Sequence, residues 1–116
     1  MPAQAAGREQ IGTDGQGNAV FLETGNMTRK GYVVYAWRLL NRVAADDNGA
    51  LSVRSQVEFD CRNRLTRVMW TTLHSAVDEG GKVISTGAVS SPTWEAVPAG
   101  SLTEAQLEFA CRHVMR

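Results

Sequence analysis

Histidine and cysteine are scarce in this 116-residue chain, with two of each. His74 and His113 have no second ligand at strand or helix spacing, so no metal or cofactor site is expected. Charge of one sign is also missing. Twelve basic and twelve acidic residues cancel, whereas a dedicated nucleic-acid binder carries a basic excess, so that class is set aside. No apolar run approaches the roughly 20 residues of a membrane-spanning helix. Met1 to Gln10 has no apolar core of the kind a signal peptide needs. Two expectations stay open on that point: a cytosolic protein, or an exported one whose signal has been removed.

Catalytic signatures are absent as well. No Gly-x-Ser-x-Gly occurs, and Ser90-Ser91 precedes Pro92 with no base beside it. The glycines from Gly12 to Gly17 match no phosphate-binding loop, and no helix pattern follows them. Asp46-Asp47-Asn48-Gly49 lacks the further oxygen ligands and closing glutamate of a calcium loop and reads as a hairpin turn. The chain is therefore read as no enzyme, without metal or cofactor.

What is present is punctuation and alternation. Met1 to Gly7 reads as a disordered tail and residues 8–116 as a single domain, a length that supports one core. Eleven glycines favour many turns, and Asp14-Gly15, Gly25-Asn26, Asn48-Gly49 and Gly80-Gly81 bound strand-like runs. Those runs are Arg8 to Thr13, Asn18 to Glu23, Tyr32 to Ala44, Ser52 to Arg62, Leu65 to Ala76 and Lys82 to Thr86. In the third, Tyr35, Trp37 and Leu39 alternate with Val34, Ala36 and Arg38. In the fourth, Val53, Val57, Phe59 and Cys61 oppose Arg54, Gln56, Glu58, Asp60 and Arg62. Period two with one polar face describes an antiparallel sheet open to water on one side. On the same count Trp70 falls opposite Leu65, Arg67 and Met69.

After Pro98-Ala99-Gly100 the period changes. Ser101 and Glu104 form a capping-box signature, and Leu107, Ala110, Cys111 and Val114 make one helix face. Arg112, His113 and Arg116 suit the negative end of that helix. The expected fold class is α+β: an antiparallel meander with a C-terminal helix packed on one face. Cys61 and Cys111 both point into the layer between sheet and helix. They are either a disulfide staple or two buried free thiols acting as small hydrophobes, and the matched placement favours the staple. Disulfides persist outside the reducing cytosol, which favours the exported reading.

One surface feature stands out. Arg54, Arg62, Arg64 and Arg67 cluster in sequence around Cys61, with Arg38 and Arg42 on a strand that can lie beside them. They are the candidate binding residues, suited to sulfated glycans or acidic protein surfaces. The competing reading is a solvated face balanced by Glu58 and Asp60.

Four segments carry a resemblance in their order: Val57-Glu58-Phe59-Asp60-Cys61-Arg62-Asn63-Arg64, Gly80-Gly81-Lys82-Val83-Ile84, Trp94-Glu95-Ala96-Val97-Pro98-Ala99-Gly100-Ser101 and Phe109-Ala110-Cys111. Together, across Asn18 to His113, the chain resembles the surface-adhesin protein E family of Gram-negative bacteria. The resemblance implies a sheet of about six strands with the C-terminal helix tied to it by a Cys61–Cys111 disulfide. It implies export to the periplasm or cell surface after signal removal, and a non-catalytic role in contacting host extracellular-matrix protein or another macromolecule. A monomer or weak homodimer is expected. The alternative is a periplasmic binder of small hydrophobic ligands, using a groove between sheet and helix or paired sheet faces lined by Tyr35, Trp37, Trp70 and Met69.

Overall fold

Residues 7–114 are described in the computed structural model. The strands are β1 (Arg8–Thr13), β2 (Ala19–Glu23), β3 (Thr28–Lys30), β4 (Val33–Asn41), β5 (Ser52–Asp60), β6 (Leu65–His74), β7 (Val83–Ala88) and β8 (Glu95–Ala96). One helix follows, α1 (Leu102–Val114). The sheet runs β1-β2-β4-β5-β6-β7, with every pairing antiparallel. This is the expected six-line meander with a C-terminal helix.

Two short strands escaped the sequence reading. β3 pairs with Val33 to Tyr35 of β4 and so continues the line of β2 after a single 3-10 turn at Thr24–Asn26. β8 pairs with Leu65 and Thr66 of β6 and continues the line of β7. Both are too short to show a period.

Several strands stop earlier than their alternation. Asp60 ends β5 because its Oδ1 accepts the N–H groups of Arg62 and Asn63, at 3.0 and 2.9 Å, turning the chain. In the β4–β5 connection Asp46 does the same for Asn48 and Ala50, at 2.8 and 2.9 Å. That carboxylate is committed to its own turn, and these bonds hold its pKa below the ordinary value.

One departure matters more. Val57 pairs with Val68 but Gln56 pairs with Trp70, so Met69 is an extra residue in β6. A bulge of this kind shifts the alternation by one. Trp70 therefore lies on the same face as Arg67, not opposite it as strict period two predicts.

The buried face of the sheet is the one carrying small and branched residues. Leu22, Val34, Ala36, Val57 and Phe59 form one core cluster with Leu107 and Ala110 of α1. Ala36 and Gly12 let the helix approach closely: a Cβ on Gly12 would stand 3.0 Å from Leu102 Cδ1. Ser101 caps α1, its Oγ accepting the Glu104 N–H at 3.0 Å, while Glu104 Oε1 accepts the Gly100 N–H at 2.8 Å. Arg112 and His113 occupy the last turn, His113 stacked on Phe109. Arg116 and the expected tail, apart from Gly7, lie outside the described residues. The Gly7 carbonyl accepts the Thr24 N–H at 2.7 Å.

The helix is fastened at the β5–β6 turn. Cys61 and Cys111 are joined by a disulfide with Cα atoms 6.0 Å apart, across 50 residues of sequence. Three residues further on, Arg64 reaches Glu104 at 2.7 Å and Glu108 at 3.2 Å on the same helix.

Candidate binding surface

Because α1 covers one face, the other face of the sheet is left for its own side chains to cover. Register places Tyr35, Glu58 and Arg67 in one row, Trp37, Gln56 and Trp70 in the next, and Leu39, Arg54 and Thr72 in a third. Phe21 stands beside Leu39. The result is an aromatic ladder crossed by guanidinium groups.

Each guanidinium sits over a ring. Arg8 lies 4.5 Å from the centroid of Phe21, Arg54 3.9 Å from Trp37 and Arg67 4.2 Å from Trp94. Each is also held by a carboxylate. Arg54 makes a forked pair with Glu23, its Nε and Nη2 donating at 2.8 and 2.9 Å, and meets Glu79 at 2.8 Å. Arg67 meets Glu58 at 2.9 Å, and Arg8 meets Asp78 at 2.7 Å. Trp70 is 39% exposed, with its Nε1 donating to Thr86 Oγ1 at 3.0 Å.

The structure does not gather the four candidate arginines into one group. Arg54 and Arg67 belong to this face, each held between a ring and a carboxylate. Arg64 turns to the helix and serves its docking. Arg62 lies at the β5–β6 turn, 4.8 Å from the centroid of Tyr32. Of the two flanking arginines, Arg38 points to the helix side and donates to Gln106 Oε1 at 3.3 Å, while Arg42 donates to the Ala44 carbonyl. The turn and the strands send these side chains different ways.

The β6–β7 connection folds over the end of this face. Asp78 and Glu79 take left-handed backbone conformations, φ 57° and 64°, uncommon for residues with a Cβ. Their contacts hold the conformation: Asn41 Nδ2 donates to Asp78 at 2.7 Å, Asn41 Oδ1 accepts the Asp78 N–H, and Ser52 Oγ accepts the Glu79 N–H. Behind them a Cβ on Gly81 would collide with Ser75 Oγ. Two carboxylates are thereby aimed at Arg8 and Arg54 from a loop distant in sequence. Nothing in the local pattern announced this.

These bonds lower carboxylate pKa values. Arg54 is the main cause at Glu23, with Asn26 adding to it. At Asp78 the main cause is Asn41, followed by Arg8. Groups with lowered folded values add stability that is complete above the unfolded values of 4.5 and 3.8 and is lost as pH falls through the folded ones. The melting temperature is therefore expected to be level at neutral pH and to fall on acidification below 4.5. Glu23→Gln should start from a lower plateau and show a shallower acid limb. Equal acid limbs in thermal scans across that range would contradict this.

The comparisons with known proteins agree with this architecture. The family model described as Surface-adhesin protein E matches residues 9–112. Crystal form II of Haemophilus influenzae protein E superposes with a TM-score of 0.73 at 11% identity, covering 98% of this chain and 94% of that one. The selenomethionine form gives 0.68 at 12% identity, covering 95% and 89%. Protein E from non-typeable H. influenzae gives 0.59 at 11%, covering 97% and 78%. At such identities the structures share a fold. No curated protein matches the sequence. With nearly its whole length matched, the chain belongs to the surface-adhesin protein E family.

Proposed function

We propose that this chain is a non-catalytic exported protein that uses the helix-free face of its sheet to contact a host extracellular-matrix protein. The observation that carries this reading is the aromatic ladder of Tyr35, Trp37 and Trp70, left uncovered by α1 and interleaved with Arg54 and Arg67. Tryptophan, tyrosine and arginine supply most of the hot-spot energy in protein interfaces. Holding the arginines by carboxylates reduces the ordering cost of binding.

The same carboxylates favour a protein over a sulfated glycan as partner. Glycan binding needs free positive charge, and Arg54 and Arg67 are already neutralised by Glu23, Glu79 and Glu58. The Cys61–Cys111 bond supports a periplasmic or cell-surface location, since disulfides persist in oxidising compartments. The open edge strand β7, with Val83 and Ile84 exposed, leaves room for a weak homodimer beside the monomer.

Binding of the oxidised protein to a panel of purified matrix glycoproteins tests the reading. Trp70→Ala should weaken any binding by about tenfold or more, a hot-spot effect. Elution from heparin should occur at low salt and be unchanged by Arg54→Ser with Arg67→Ser. Unchanged matrix binding by Trp70→Ala would contradict the proposed face.

A further inference from the structure

On the helix side of the sheet, Arg38 occupies a site that the matrix-binding reading does not use. Cross-strand register sets it between Leu22 and Ser55, in the layer beneath α1. The only partner its guanidinium has among the described residues is Gln106 Oε1, at 3.3 Å. A guanidinium carries five N–H donors, and withdrawing its charge from water without a counter-ion costs free energy. Burial depresses its pKa, and no neighbouring carboxylate offsets that.

Arg38 also lines a cavity of about 170 Å³. The other walls are Val20, Leu40, Val53 and Leu102, with Ser55 and Gln106 polar beside the guanidinium. Asp14 borders the cavity, but its carboxylate is occupied by the N–H groups of Gln16 and Asn18 and by Asn18 Nδ2, at 2.9, 3.0 and 2.9 Å. The chemistry is that of a single cation in the wall of a half-open pocket, with apolar side chains on one part of its lining. A second cation, which a phosphate or sulfate dianion would call for, does not line it.

We infer that the space between β4, β5 and α1 is a binding site for a monocarboxylate with a short apolar body, its carboxylate paired with Arg38. Cavities of about 150 Å³ accept benzene, so the body is limited to about six carbons. Gln106 supplies its amide beside the carboxylate, and Ser55 borders it with a hydroxyl that also meets Thr71 Oγ1 at 3.5 Å. Val20, Leu40, Val53 and Leu102 line the space for the tail. The acid can be free or can be the C-terminal residue of a peptide; both present the same group.

The test uses the oxidised protein, followed by amide and side-chain NMR shifts. The probes are sodium hexanoate, neutral hexanamide and an acetylated tetrapeptide ending in leucine, each to about 10 mM, which reads a Kd near 1 mM. Hexanoate or the peptide should shift the Gln106 side-chain amide and Arg38 Nε–H. Hexanamide should bind at least about tenfold more weakly, having lost a charge-assisted bond. Arg38→Met, which keeps an unbranched apolar stem and removes the whole guanidinium, should lose binding to the same degree. Saturation by hexanoate assigns the site to free acids, and saturation by the peptide alone assigns it to chain termini. Absence of shifts with both, or equal binding of hexanoate and hexanamide to the unmodified protein, would overturn the inference.

Discussion

Replacing Cys61 and Cys111 together by alanine should lower stability by about 4 kcal/mol, the loop-closure value for a bond spanning 50 residues. For a domain of this size that corresponds to a fall of about 15 °C in melting temperature. The bond encloses β6, β7, β8 and most of α1, so in the unfolded chain it restricts nearly half the sequence. In the folded protein it holds a helix that buries only Gln106, Leu107 and Ala110. A contact that small is weak by itself, and the solvent-screened pairs of Arg64 with Glu104 and Glu108 are no substitute for a covalent link. Thermal scans of the oxidised protein, the reduced protein and the double variant give the comparison. A melting temperature within about 3 °C across all three would mean that the helix docks without its staple.

Phe59→Ala should cost about 4 kcal/mol, near the middle of the range for deleting a fully buried phenylalanine. Its side chain is 0% exposed and belongs to the cluster that meets Leu107 and Ala110. β5 is central in the sheet, flanked by β4 and β6, so the surroundings have little freedom to collapse into the vacancy. Urea denaturation should show a lower midpoint with an unchanged slope. Trp70→Ala, by contrast, removes a side chain from the open face and should cost less than about 1 kcal/mol. The two variants separate the faces: the first weakens the fold and spares the proposed contact, and the second does the reverse. A Phe59→Ala loss below about 1.5 kcal/mol would show that the layer is loosely packed.

The alternation of Val53, Val57, Phe59 and Cys61, with the helical spacing of Leu107, Ala110, Cys111 and Val114, is a local signal of burial. It makes the two-layer fold legible in the sequence and sets both cysteines in the layer between, where either a staple or two buried thiols fit the pattern. The open face was less legible, for two physical reasons. Met69 inserts a bulge, and one extra residue moves Trp70 across the sheet; no propensity in Arg67-Val68-Met69-Trp70 marks that insertion. The charge partners of Arg54 and Arg64 come from Glu79 and Glu104, brought near only by tertiary folding. A cluster of arginines in sequence reads either as a binding patch or as a face balanced by Glu58 and Asp60. In the folded protein Arg54 and Arg67 order rings while Arg64 docks a helix. Arg38 was visible on the face of Val34 and Ala36, but only the packing of α1 makes that the buried side.

The proposed contact face is tested by hydroxyl-radical footprinting of the oxidised protein, alone and with whichever matrix glycoprotein it retains. Oxidation should be lost at Trp70, Trp37 and Tyr35, while Phe109 and Met27, which pack against the helix-side core, react equally in both states. Protection at Phe109, with Trp70 left reactive, would contradict it.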